Sequence, residues 1–206
     1  MEIKKFCDPV FKNMDCVVSV GVFDGLHRGH LRIIRTLVSE AKKNACKSVI
    51  IMFNINPKMF LGKQKSMDSI ISEEETNKLL QEAGIDYRCI IDFSSDMSKL
   101  SGEEFIAGLC TSYSLKAMVV GESFRCGRTD SSVGSSEIGK ILSKYTSSAY
   151  VKVVPSLFVD GEEVSSTLIR RCLLTGETEK ASALLGRPLS PGSGSCRLLK
   201  NKSSGV

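Results

Sequence analysis

GVFDGLHRGH, residues 21–30, follows directly on the apolar run VVSV at 17–20. An apolar run, a turn punctuated by Gly21, Gly25 and Gly29, and then a helix start is how α/β proteins present backbone N–H groups to a phosphate. The chain has two histidines, His27 and His30, and both fall in this stretch. Three residues apart, they share one helix face. Two imidazoles at such a junction predict a phosphate that is reacted on, not merely held. As loop residues facing a ligand, they are expected to add little to stability. Phe23 is expected to pack under the turn, and Asp24 to order it.

The pattern continues outward from that turn. Leu31, Ile34, Leu37, Val38 and Ala41 recur at helical spacing. VIIMF at 49–53 reads as a buried strand, ended by NINP, where Pro57 blocks further pairing. Ser72 to Glu75 forms a capping box for a helix through Leu79, Leu80 and Ala83, closed by Gly84. YRCII at 87–91 is a strand; Ser101 with Glu104 caps a helix carrying Phe105, Ile106 and Leu109. AMVV at 117–120 is a strand ending at Gly121, and Ser136 is expected to cap a helix through Ile138, Ile141 and Leu142. A strand at 150–154 follows, then a tight turn at Asp160-Gly161. Ser165, Ser166 and Thr167 cap a helix that ends at Gly176, and a short helix near 178–185 stops at Gly186. Strands alternating with helices, the strands nearly continuous in apolar residues, predict the α/β class. The sheet is expected to be parallel and doubly wound, with helices on both faces, in a single domain.

Composition narrows the partners. The 206 residues are 42% apolar and 25% charged, as in ordinary globular domains, and the net charge is +5. That excess suits anionic small molecules. Without a Lys/Arg run it gives no footprint for nucleic acid. No segment is long and apolar enough to cross a bilayer, and no apolar signal core follows the N-terminal lysines, so the expected location is cytoplasmic. Eight cysteines include no C-x-x-C pair and none at zinc-ligand spacing from a histidine, so buried reduced thiols are expected.

Two further segments invite a phosphate reading. GSSEIGKI at 134–141 approaches the P-loop pattern, but Ile141 stands where a Mg²⁺-binding hydroxyl belongs. Ser165-Ser166-Thr167, with Arg170 and Arg171 close behind, is the stronger one. Hydroxyls at a helix N-terminus with arginine on the same face can bind phosphate.

Residues 21–30 resemble the G-x-F-D-x-x-H-x-G-H signature of the nucleotidyltransferase superfamily. VVGESFRCG at 119–127, SSTLIR at 165–170 and ALLGRPLS at 183–190 look like successive motifs of bacterial FAD synthetase, in its FMN adenylyltransferase module. MFNINP at 52–57 falls where that family carries F-x-P-H-P. The resemblance implies a Rossmann-like fold that transfers AMP from ATP to FMN with Mg²⁺, giving FAD and pyrophosphate. By motif position, Gly21, Phe23, His27, Gly29 and His30 would form the ATP phosphate site, completed by Ser166, Thr167 and Arg170. Phe53, Pro57, Ser123 and Phe124 would line the flavin side. His27, His30 and Arg170 would stabilise phosphoryl charge. The resemblance assigns no metal ligands and no protein partners.

Departures fall on the acceptor side. Asn54, Ile55 and Asn56 replace an acid-like residue, proline and histidine, and Ser123 replaces Asp or Asn. The G-x-P-T-A-N motif of a riboflavin kinase domain is missing. The expected organisation is therefore a nucleotidyltransferase domain over 1–187, a disordered Ser/Gly/Lys-rich tail over 188–206 and no kinase domain. Two alternatives stay open: transfer to a different phosphorylated acceptor, and a non-catalytic flavin- or nucleotide-binding protein.

Overall fold

The structure is a computed structural model that describes residues 1–62 and 69–189. Most of the tail, from position 190 and including Cys196, lies outside the described residues. In chain order the elements are β1 (Glu2–Lys5), β2 (Asp15–Gly21), α1 (Arg28–Lys43), β3 (Lys47–Phe53), α2 (Pro57–Phe60), α3 (Glu73–Glu82), β4 (Tyr87–Ile91), α4 (Gly102–Ser112) and β5 (Ser114–Gly121). They continue with β6 (Arg125–Cys126), β7 (Val133–Gly134), α5 (Ser135–Tyr145), β8 (Tyr150–Val154), β9 (Phe158–Val159), β10 (Glu162–Glu163), α6 (Ser166–Thr175) and α7 (Thr178–Leu185).

Six strands form one sheet in the order β1-β4-β3-β2-β5-β8, parallel at every pairing. Strand alternation sends successive side chains to opposite faces. Val17, Ile50, Met52, Ala117 and Val119 pack with α1, α6 and α7 on one side. Val18, Val20, Val49, Ile51, Met118 and Val120 pack with α4 and α5 on the other. With both faces covered, the strands can be apolar throughout, which is why they read as unbroken hydrophobic runs. From β2 the chain winds outward through β3 and β4, and from β5 it winds the other way to β8. The switch point lies between β2 and β5, where a crevice opens beyond the strands' carboxyl ends.

Local differences from the sequence reading have physical causes. β1 is an edge strand whose EIKK sequence shows no apolar run; it pairs with β4 alone. The Ser101–Glu104 capping box forms in both directions, at 2.7 and 3.1 Å. At Ser72 only half of the box forms. Ser72 Oγ accepts from the Glu75 N–H at 3.1 Å, while the Glu75 carboxylate turns to Arg187. Helix α5 is capped at Gly134, not Ser136, with Glu137 Oε2 accepting from the Gly134 N–H at 2.8 Å. Asp160 and Gly161 both take positive φ between β9 and β10, as a two-residue hairpin turn requires.

The seven described cysteines are all free. Cys16, Cys89 and Cys172 are buried, and burial pushes the Cys16 and Cys89 thiols up to about 12. Cys7 is exposed and Cys46, Cys110 and Cys126 are half-buried, so the expectation of buried thiols holds for three of the seven.

Candidate active site

The turn after β2 is held in an unusual conformation. Asp24–Leu26 forms a 3₁₀ turn in which Gly25 has φ 79° and Leu26 has φ 38°. A Cβ at Gly25 would meet the Ile70 side chain at 3.1 Å, so glycine serves both the angle and the fit. Leu26 has no such freedom, and its left-handed backbone costs roughly 1–3 kcal/mol. Neighbouring bonds offset that strain. Asp24 Oδ1 accepts from the Ile70 N–H at 2.9 Å, its Oδ2 pairs with Arg170, and its carbonyl accepts from Ser166 Oγ at 2.8 Å. Asp24 therefore joins the turn to the start of α6. Phe23 packs beneath, almost fully buried.

His27 is the N-cap of α1: its Nδ1 accepts from the His30 N–H at 3.3 Å. That acceptor role puts the proton of the neutral ring on Nε2, which is then its free donor. The two imidazoles stack with centroids 3.6 Å apart and planes 18° apart, and Phe23 meets His30 edge-on at 5.2 Å. Burial, with Arg187 nearby, lowers the His27 pKa to about 4. Burial, then His27, holds His30 well below its ordinary value. Both rings are thus neutral at neutral pH. His27 is 6% exposed and caps a helix, so it does support the fold, contrary to the sequence expectation.

Both strand ends open into one cavity of about 720 Å³ at the switch point. Gly21, Phe23, His27, Gly29, His30 and Ser166 line it, and so do Phe53, Pro57, Ser123 and Phe124. Asn56 also borders it, whereas Asn54 turns away, donating to Asp92 Oδ1 at 2.8 Å and accepting from the Phe93 N–H at 3.1 Å. Two predicted residues are not in the cavity wall. Thr167 is exposed and borders a shallow depression with Glu162 and Arg171. Arg170 is buried on Asp24 and behaves as a strut of the turn, not as a free cation.

Sequence reasoning missed several residues here. Phe93 meets Phe53 edge-on at 5.7 Å and Phe60 at 5.3 Å, giving the cavity an aromatic wall. Ser19 also lines the cavity, and its Oγ is buried without a hydrogen-bond partner, as is His30 Nδ1. A serine inside the apolar run VVSV was the available signal. Arg187 contacts the turn's carbonyls, although its motif had been noted without a role.

The donor set bears on Mg²⁺. Among the described residues no group of three or more His, Cys, Asp or Glu side chains could hold a metal. Two carboxylates border the cavity, Glu122 and Glu163, which accept from the Ser156 N–H and Ser156 Oγ. Such a wall suits a cation carried mainly by substrate phosphates and not a protein-built cage.

A parallel sheet whose switch point joins a glycine turn, a histidine-capped helix and a mixed polar–aromatic cavity defines a doubly wound α/β protein. The comparisons make this more particular. The profile of the FAD synthetase family matches residues 11–168, and the chain belongs to that family. It is 33% identical over 179 residues to a bifunctional riboflavin kinase/FMN adenylyltransferase of Buchnera aphidicola subsp. Schizaphis graminum, covering 86% of this chain and 57% of that one. It is 27% identical over 176 residues to the protein of that name from Listeria monocytogenes, covering 84% and 54%. The chain thus spans little more than half the length of these relatives. A crystal structure described as a macrolide-efflux protein from Streptococcus pneumoniae matches with TM-score 0.75 and 30% identity, over 85% of this chain and 66% of that one. Among the described residues of this chain, no helix is long and apolar enough to cross a membrane.

Proposed function

We propose that this chain is an FMN adenylyltransferase that moves AMP from ATP to FMN. The observation that carries the reading is the single cavity. A neutral-histidine helix start and an aromatic wall share about 720 Å³, so a nucleotide polyphosphate and a flavin can meet in it. A phosphate oxygen of FMN attacks the α-phosphorus of ATP. The new P–O bond forms as the bond to pyrophosphate breaks, and pyrophosphate leaves with the electron pair. The acceptor is already anionic, so no side-chain base is needed.

The chain's contribution is alignment and charge stabilisation. His27 donates from Nε2, and the His30 ring stacks against it in the cavity wall. Gly21 and Gly29 let phosphate approach the backbone, with the α1 N-terminus supplying favourable dipole. Ser166 and Arg170 act by fixing Asp24, and so the turn. Thr167 would need to rotate inward to reach a phosphate. Phe53, Pro57 and Phe124 pack against the flavin, with Ser123 beside them. Mg²⁺, when bound with the phosphates, neutralises their charge. The absence of disulfides among the described cysteines suits a cytoplasmic setting.

The test is an acceptor screen. Purified chain, Mg²⁺ and either ATP or CTP are incubated with FMN and with other phosphorylated acceptors, and products are separated by chromatography. FAD from ATP and FMN alone is expected. A product from another pair would assign a different nucleotidyl transfer.

A further inference from the structure

Arg187 lies 161 residues along the chain from Leu26 and 162 from Gly25, yet it grips that turn from outside the cavity. Its Nη2 donates to the Gly25 carbonyl at 2.7 Å and its Nη1 to the Leu26 carbonyl at 3.0 Å. Its Nε donates to Glu75 Oε1 at 3.2 Å, which anchors the guanidinium on α3. Both ends of this ion pair are largely buried, with side chains 16% and 17% exposed. Arg187 is not part of the cavity wall.

The two carbonyls belong to the residues with positive φ that precede His27. Each peptide is planar, so fixing a carbonyl fixes its whole plane. The Leu26 carbonyl shares its plane with the His27 N–H. A planar guanidinium bridging two carbonyls therefore sets the angle at which His27 enters α1. The route of the chain is built for the contact. Gly186 ends α7 with φ 76°, and a Cβ there would meet Arg28 Cγ at 2.8 Å. Only glycine lets the chain pass this close to the start of α1 and deliver Arg187 behind the turn.

We propose that Arg187 is a positioning residue of the phosphate site: it locks the strained Gly25–Leu26 turn and thereby fixes His27 for nucleotide binding. This rests on the ATP site proposed above. Its charge also acts on His27, against which the His30 ring on the same helix is stacked.

The experiment compares Arg187→Gln and Arg187→Lys with the parent chain. Two quantities are measured: the ATP dissociation constant without FMN, and the imidazole ¹⁵N spectrum of His27 over a pH titration. Arg187→Gln should weaken ATP binding by about tenfold or more, as misplacement of a reacting group does. Its His27 signals should lose their single-tautomer pattern and titrate at higher pH. Arg187→Lys keeps the charge but bridges only one carbonyl, so it should restore the titration and recover ATP affinity only in part. If Arg187→Gln fails to fold, Arg187→Lys alone decides: parental ATP affinity in it would overturn the proposal. A folded Arg187→Gln with parental affinity and an unchanged His27 spectrum would also overturn it. The imidazole readout needs no nucleotide. A parent chain that bound no ATP would sink the ATP-site reading, while the spectrum would still test the clamp.

Discussion

His27 does two jobs through its two nitrogens. Nδ1 caps α1, and Nε2, left with the proton, is the donor that the proposed function assigns to phosphate. His27→Ala should lower turnover on the order of a hundredfold or more, as loss of a transition-state donor does. It should also cost about 1 kcal/mol of stability through the lost cap, measurable by urea unfolding. His30→Ala should lower turnover comparably but leave the cap acceptor in place. Equal stability loss in both would mean that the cap bond is not what His27 contributes. The stacked pair also predicts a pH effect. Folding lowers the His27 pKa from 6.5 to about 4, so between those values the unfolded chain binds more protons. Stability from this group is complete above about 6.5 and is lost as pH falls toward 4. His30 shifts in the same direction. Unfolding free energies measured across that window should fall less steeply in His27→Gln than in the parent.

At the scale of elements, the proposed function puts the acceptor on the loops after β3 and β5 and the phosphates on the turn after β2. Asn56 and Ser123 lie on the former. Asn56→His and Ser123→Asp should therefore change FMN binding or FMN-dependent turnover and leave the ATP dissociation constant, measured without FMN, nearly unchanged. Separate titrations decide this. A large loss of ATP binding with unchanged FMN binding would mean that the two substrates have been assigned to the wrong loops. The strands and helices that support these loops were readable because the strands are short unbroken apolar runs, whereas the helices repeat apolar residues at a period near 3.6. β1 was not, because EIKK at a sheet edge needs no apolar run. Ser165 and Arg170 were readable as a helix start and a same-face arginine, but the sequence does not reveal what faces them. Asp24, 146 residues away, takes the guanidinium and leaves Arg170 out of the cavity wall. Arg187 was hidden for the same reason: its partners are backbone carbonyls, which have no sequence signature.

At the scale of the molecule, sheet topology does the assembling. Winding outward in both directions from β2 and β5 brings Gly21 and Gly121, the last residues of these strands, into the wall of one cavity. Helix α6 and the segment after α7 return to the turn after β2 and brace it through Ser166, Arg170 and Arg187. On the proposed function, this cavity brings ATP and FMN into reaction. Incubating the chain with FMN, Mg²⁺ and ATP labelled at the α-phosphorus tests it most directly. The label should appear in FAD, with one unlabelled pyrophosphate released for each FAD formed. Binding of both ATP and FMN without transfer of label would contradict the account and leave a nucleotide- and flavin-binding protein in place of an enzyme.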